Sequence, residues 1–546
     1  MSRFFKSWRN LCHRCSIVVT VSLVIMFLTI YYFLQGIKEE ATNGSYTTQM
    51  FTPAKTKNEL IEMLTTELKN MNYPITQEDL EVAIASFKIG TKYIELSRQP
   101  LKCVYRPRLT DIWISNKYWQ VLRLTESDKS DTYLYIYGAY LDTRVEPRVR
   151  IIVVSSIRKT RGPKFCQFWY SNESRVEVET VISQSSPWVW DHGENYHPLI
   201  FTCKLPQDVS KSNYTGLKSE NIPNSVSLVM DKCDTATNNM KIIYDVPLVQ
   251  HDFGICFKML DFPMTRISKP LVEMIELLKI LGVGGIHFPY LAVDNETMKV
   301  LKYYEATKFV TLKPYSLPGY QINLPLSRHV HLRTNLEAKR KQELIPYNDC
   351  YLSNIYRYKV IGILDIDELM LPTTEANYQK FLRKYWQSKI PKYTSFCFTM
   401  KQFVEKIIFN PNATTELRIK ESNSNVSEIT NHVFFDRGPV CSERRVRSYK
   451  CFHRTDSVLL VHNHYPIKCL EDQHCSSKHI PIDYAYIHHH RGISEFCQYN
   501  ATSDTLDVIQ NPFEYDPLIK KYAVEVMKQR DLVLKRIQNW DNNVQY

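Results

Sequence analysis

The chain has 546 residues, 44% of them hydrophobic and 23% charged, with a formal net charge of +12. This balance excludes a disordered or low-complexity chain and leaves room for more than one domain. Four positive charges, Arg3, Lys6, Arg9 and Arg14, crowd the first residues; the remainder form no concentrated basic stripe, so no nucleic-acid partner is expected.

In chain order, residues 1–16 read as a cytosolic tail and residues 17–34 as an uncharged apolar run about long enough to cross a bilayer core. The basic flank before it, and Lys38, Glu39 and Glu40 after it, predict an uncleaved signal anchor with the rest of the chain lumenal. The run is too long for the apolar region of a cleaved signal peptide. On this topology Cys12 and Cys15 are cytosolic, and the other twelve of the 14 cysteines form an even set in an oxidising compartment. Disulfides are expected there, with the pairing left open by spacing. Asn-x-Ser/Thr sequons at Asn43, Asn172, Asn213, Asn295, Asn412, Asn425 and Asn500 all lie beyond the span.

Residues 35–98 read as a stem with helical patterns around residues 58–64 and 77–88. Residues 99–245 carry short alternating runs, such as 131–137 and 149–154, separated by turn residues, and read as a β-rich module. From residue 246 the pattern changes. Residues 253–257 are a strand candidate; residues 269–281 have helical periodicity, with Leu271, Met274, Ile275, Leu278 and Leu281 on one face and Gly282 as the stop. A strand at 285–290, a helix at 295–304, a strand at 308–312 and a helix at 348–358 follow. Strands alternating with helices predict a mostly parallel, doubly wound α/β sheet over residues 246–505. Residues 506–546 read as a C-terminal helical segment capped by Asp516 and Pro517, with Leu518, Val524, Leu532 and Leu534 docking on the body.

The apolar run 360–364 ends in Asp365-Ile366-Asp367-Glu368. In extended chain Asp365 and Asp367 point to the same side, and carboxylates at the end of a buried strand lie where open α/β sheets bind ligands. Two converging carboxylates suit a hard cation, Mn²⁺ or Mg²⁺, of the kind that bridges protein to a diphosphate. The competing interpretation of such a motif is a solvated turn or helix cap.

Several blocks together resemble glycosyltransferase family 92: residues 139–144, 271–282 with the strand at Tyr290, 300–304, 348–351, 364–368, and the late His489-His490-Arg491. The likeness spans roughly residues 130–500. It implies a GT-A-like fold, a UDP-sugar donor (UDP-galactose where activity is known), a divalent cation, a glycan of a glycoprotein or glycolipid as acceptor, and a single-pass type II Golgi protein. His490 departs from the family's usual tyrosine, and the stretch from Cys441 to His453 matches poorly.

Under that resemblance Asp367 is the direct metal ligand, Asp365 reaches the metal through water or holds the donor nucleoside, and Glu368 orients the pair. GT-A enzymes often take a further ligand from a late histidine, so His462, His464 and His489 are candidates, and Arg491 is a candidate for a donor phosphate. A rival interpretation makes Cys469, His474, Cys475 and His488 a zinc cluster. An inverting transfer needs a carboxylate base for the acceptor hydroxyl; Glu405, Glu443, Asp456 and Asp472 are the candidates, the sequence does not choose among them, and Glu443 sits in a Cys- and Arg-rich loop suited to the acceptor side. The alternatives to a galactosyltransferase are a catalytically silent glycan-binding or scaffolding protein and a hydrolase of nucleotide sugars.

Overall fold

The computed structural model describes residues 119–125, 131–158, 162–170, 176–186, 195–206, 222–386, 393–404, 449–472, 474–491 and 517–543. Every described residue lies within the unit 74–546.

The first eight strands are β1 (Gln120–Leu124), β2 (Thr132–Asp142), β3 (Arg148–Ser155), β4 (Phe165–Trp169), β5 (Val176–Ser185), β6 (His197–Lys204), β7 (Ser225–Val229) and β8 (Met240–Ile243). Their order is β1-β2-β3-β6-β5-β4-β7-β8, and β8 also pairs in parallel with β2, so β2 to β8 close into a seven-stranded barrel. Closure removes the exposed sheet edges that an open β module would carry. On β2, Leu134 and Ile136 face the barrel core with Ala139 and Leu141, while Tyr135, Tyr137 and Tyr140 face a second core outside it. The parity changes because the β2–β3 register slips between Ile136 and Gly138, and one extra residue flips the faces.

The chain then forms β9 (His251–Phe257), β10 (Leu260–Phe262), α1 (Ser268–Ile280), β11 (Ile286–Val293), α2 (Asn295–Ala306), β12 (Val310–Pro314), α3 (Pro325–Thr334), α4 (Leu336–Asn354) and β13 (Tyr358–Leu364). Strands β9 to β13 pair only in parallel with one another. All five apolar residues expected on α1 are buried, and Gly282 ends the helix with φ 86°. Asp294 caps α2 by accepting from the N–H groups of Glu296 and Thr297.

Beyond β13 come β14 (Glu368–Pro372), α5 (Tyr378–Trp386), β15 (Ser395–Val404), β16 (Tyr449–Arg454), β17 (Val458–Val461), β18 (Pro466–Cys469), β19 (Ser477–Ile480), β20 (Ala485–Arg491) and α6 (Pro517–Asn543). The ten-stranded sheet runs β10-β11-β9-β13-β16-β15-β20-β14, with β12 on β11 and β19 on β15. The pairs β13–β16, β15–β16 and β14–β20 are antiparallel.

The GT-A-like, doubly wound α/β fold with an N-terminal span is therefore corrected. Among the described residues there are twenty strands against six α-helices, and a closed barrel occupies the first part. The strand–helix alternation visible up to residue 364 is broken there, and α5 is the one α-helix among the described residues between 365 and 491. A tight turn, not a crossover helix, joins β13 to β14, and residues 449–491 add five strands with only a 3₁₀ turn between them. No described helix is long and apolar enough to cross a membrane, and residues 17–34 lie outside the described residues. On α6 the docking stripe is also revised: Tyr522, Val526, Val533 and Ile537 are buried, whereas Val524 and Leu532 are exposed. That stripe continues the helical spacing from Leu518, which packs against the same core.

The barrel and the sheet meet across buried polar groups. Tyr140 donates to Asp349 on α4 at 2.5 Å, and Lys313 approaches the same carboxylate oxygen at 2.6 Å. Arg144 pairs with Asp142 at 2.8 Å and donates to the backbone carbonyls of Thr455 and Val458. Residues 139–144 thus act as the joint between the two cores.

Candidate functional site

The site forms where parallel strands end together. β9 and β13 are in register through Phe257 and Leu364, so the next residues, Lys258 and Asp365, emerge at one edge. The N–H of Lys258 donates to the carbonyl of Leu364 at 2.8 Å. No Cβ fits on Gly362 in β13, since it would stand 2.6 Å from the Phe452 ring of β16. This close approach brings β16, and with it Lys450, under the same edge.

Asp365 to Glu368 make a closed turn. The N–H of Glu368 donates to the carbonyl of Asp365 at 3.0 Å, and the N–H of Asp365 donates to Glu368 Oε2 at 2.9 Å. Glu368 then opens β14 and lies opposite His489 of β20 in the antiparallel register. His489 Nε2 stands 3.4 Å from Asp367 Oδ2 and 3.9 Å from Glu368 Oε1. Asp367, Glu368 and His489 each offer a ligand atom within 4.8 Å of the others, a set able to hold a metal ion. Both ring nitrogens of His489 are buried without a hydrogen-bond partner among the described residues. A buried imidazole in that state is costly unless a ligand satisfies it.

The surrounding charges are arranged around the turn. Lys450 is 2% exposed and places Nζ 3.0 Å from Glu368 Oε2 and 3.4 Å from Asp365 Oδ1. Lys258 Nζ is 2.8 Å from Glu343 Oε1 on α4 and 3.8 Å from Asp365 Oδ2. Burial pushes the Asp365 carboxyl up, but Lys450 and Lys258 overcome this and hold it well below the usual carboxylate range. Burial has the upper hand at Glu368, with Asp365 and Asp367 adding to it against Lys450, and its carboxyl is pushed up to about 7. The two acids of one turn are thus driven apart, a separation typical of functional sites.

The late histidines differ from one another. β17 ends at Val461, so His462 and His464 lie in the following turn and not on a strand. His462 Nδ1 accepts from the N–H of His464 at 3.2 Å, and its ring stacks on Tyr465. Burial lowers His462 to about 3, with help from His464 and Lys450. His464 Nδ1 meets the carbonyl of Tyr449 at 2.6 Å, and burial followed by Lys450 lowers it to about 4. Both rings are therefore neutral at physiological pH.

Of the residues singled out in the sequence, the turn and the strand pairing bring Asp367, Glu368 and His489 together. Asp365 sits beside them, turned toward Lys450 and Lys258. His462 is outside the three-residue set. Arg491 ends β20, where its backbone lies opposite Val404 of β15. Glu443 and Glu405 fall outside the described residues. Asp456 pairs with Arg454 at 2.6 Å and is exposed. The zinc alternative fails because Cys469 and Cys475 form a disulfide. Further disulfides join Cys166 to Cys203, Cys256 to Cys350 and Cys397 to Cys451, and every described cysteine is disulfide-bonded.

Lys258, Glu343 and Lys450 were missed in the sequence. Lys258 carried a usable signal, because it is the first polar residue after an apolar strand parallel to the aspartate-bearing one. Lys450 carried little more than the apolar character of its neighbours Cys451 and Phe452, since its strand's partner is remote in sequence.

The glycosyltransferase family 92 model matches residues 251–540, more than half of the chain. The chain belongs to glycosyltransferase family 92. A Caenorhabditis elegans protein described as a glycosyltransferase family 92 protein is 24% identical over 129 residues, covering 24% of this chain and 25% of the relative. The match thus spans a quarter of that family member's length. Among solved structures, a mutant ferredoxin-NADP⁺ reductase from Plasmodium falciparum aligns over 50% of this chain and 92% of its own at 11% identity. Its TM-score of 0.10 carries no argument about fold or function. The family match begins at β9 and ends within α6, so it holds the whole candidate site and leaves out the barrel.

Proposed function

We propose that this protein is a metal-dependent glycosyltransferase that moves a sugar, galactose from UDP-galactose, to the glycan of a glycoprotein or glycolipid. The observation that carries this reading is the convergence of Asp367, Glu368 and His489 at the end of β13, inside the family region. Hard carboxylate oxygens with one imidazole suit Mn²⁺ or Mg²⁺, and the buried ring of His489, whose nitrogens make no hydrogen bond among the described residues, fits a ligand role. Asp367 and His489 would hold the cation, with Glu368 behind them. A cation bound there supplies positive charge against the diphosphate leaving group.

The chain's own groups divide the remaining work. Asp365 stays ionised between Lys450 and Lys258. It is positioned to orient the donor or a water beside the cation. Lys450 fixes both acids of the turn from below. The disulfides accord with an oxidising lumen, and we place the protein's work in the Golgi on that ground together with the family.

The test is UDP release by the purified chain over a panel of UDP-sugars, with and without Mn²⁺. Release that requires Mn²⁺, prefers UDP-galactose and rises with added glycan supports the reading. A chain that hydrolyses donors without transfer, or is indifferent to Mn²⁺, refutes it.

A further inference from the structure

Among the described residues, Lys258 is a cation at the site edge outside the metal set, and it is not buried. Its side chain is 26% exposed, whereas Lys450 is 2% exposed. It follows β9 directly, and its backbone is tied to Leu364, so its origin is fixed relative to the Asp365 turn. Its Nζ stands between Glu343 at 2.8 Å and Asp365 at 3.8 Å.

Glu343 comes from the long helix α4, where Lys339, Glu343 and Tyr347 follow one another at four-residue spacing and so share a face. Glu343 is 10% exposed, and Tyr347 is buried with no hydrogen-bond partner for its hydroxyl among the described residues. The disulfide from Cys256 to Cys350 clamps β9 to α4 just behind these groups. Lys258 and Glu343 are therefore carried on two elements that cannot slide apart. An ammonium held this firmly, yet open to solvent and beside the carboxylate turn, is a preorganised anion contact.

We propose that Lys258 is a diphosphate-binding cation of the donor site, held in position by Glu343. The inference rests on the nucleotide-sugar reading above and names a residue that grips the leaving group. Lys258 thus neutralises Asp365 before the donor arrives and offers its charge to a phosphate oxygen once the donor is seated.

The alternative role is purely structural, in which Lys258 only compensates the buried Glu343. The two roles separate by binding. Dissociation constants for UDP and for uridine are measured on the purified full chain with saturating Mn²⁺. In Lys258→Met, UDP weakens by about tenfold to a hundredfold while uridine is unchanged, the loss expected of one charge-assisted contact. In the charge-balanced double variant Lys258→Met/Glu343→Gln, UDP binding stays weak. Lys258→Arg keeps most of the affinity. Unchanged UDP affinity in Lys258→Met, or full recovery in the double variant, overturns the proposal. Should Lys258→Met fail to fold, the double variant, which leaves no lone buried charge, carries the same comparison. A wild-type chain that binds UDP no better than uridine removes the nucleotide-sugar reading and this inference with it. A UDP preference that survives loss of Lys258 removes the inference alone.

Discussion

Lys450→Met isolates the charge that holds the site turn together. Lys450 is almost completely buried, 3.0 Å from Glu368 and 3.4 Å from Asp365. Burial would lower its own affinity for a proton, but the two carboxylates more than offset this. Methionine fills a similar volume and removes the charge, leaving two buried acids without their common partner. Breaking a buried ion pair from one side costs about 3–5 kcal/mol. Protonation limits the loss here. Glu368 already titrates near 7, and without Lys450 it takes up a proton more readily. The sign follows from linkage. An acid whose folded pKa lies above its unfolded value stabilises most at low pH, and that contribution disappears as pH rises through the folded pKa. The gap between wild type and Lys450→Met therefore has a part that does not vary from pH 6 to 8, from the lost Asp365 pair, and a part from Glu368 that grows over that range, and it reaches about 3 kcal/mol near pH 8. Mn²⁺ at a hundred times its dissociation constant returns about 2.7 kcal/mol to whichever form binds it. Urea unfolding followed by tryptophan fluorescence at both pH values, with and without Mn²⁺, measures all of this. A gap below about 1 kcal/mol at pH 8, or one that does not change with pH, would refute the reasoning.

Three further outcomes are expected. Asp367→Asn lowers UDP release about a hundredfold and leaves the urea midpoint unchanged, because Asp367 sits on the open side of the turn at 29% exposure; a matching loss of stability would count against a metal role. Glu273, buried on α1 against Arg530 of α6 at 3.0 Å, is pushed by burial from 4.5 to about 7 despite that partner. Its stabilising contribution is therefore lost as pH climbs from about 4.5 to 7, and Glu273→Gln flattens the unfolding free energy across that window. Arg144→Met removes the nearer of the two arginines on Asp142, leaving Arg150, and takes one donor from each of two backbone carbonyls, and lowers stability by about 3 kcal/mol in the same urea assay; a change within about 0.5 kcal/mol of wild type would dissolve the proposed joint.

The legible parts of the fold are those with local causes. The α1 stripe, its stop at Gly282 and the start of α2 follow from spacing and capping, and the structure has them within a residue or two. The β-rich character of the first strands was also visible, but barrel closure was not. That closure depends on β8 meeting β2 about a hundred residues away, and on one slipped residue near Gly138 that reverses which side chains face inward. The doubly wound expectation failed for a related reason. A sequence pattern shows that a strand exists, whereas parallel or antiparallel pairing is set by what connects it. After Leu364 the connection is a tight turn, and among the described residues up to 491 only α5 interrupts the strands.

The same distinction divides the site. Parallel strands that end together deliver their first polar residues to one edge, so Asp365 and Lys258 are predictable as neighbours once β9 and β13 are both recognised. His489 and Lys450 arrive on antiparallel strands, β20 and β16, whose registers are long-range facts. No periodicity near residue 450 distinguishes a lysine aimed at two acids from one aimed at solvent. Its apolar neighbours Cys451 and Phe452 offer only a weak hint that its strand is buried on both faces. A lysine in such a strand must find carboxylates or lose its charge. Here it finds Asp365 and Glu368, and the cost of burying a cation becomes the means by which one acid of the turn stays ionised while the other sits near neutrality.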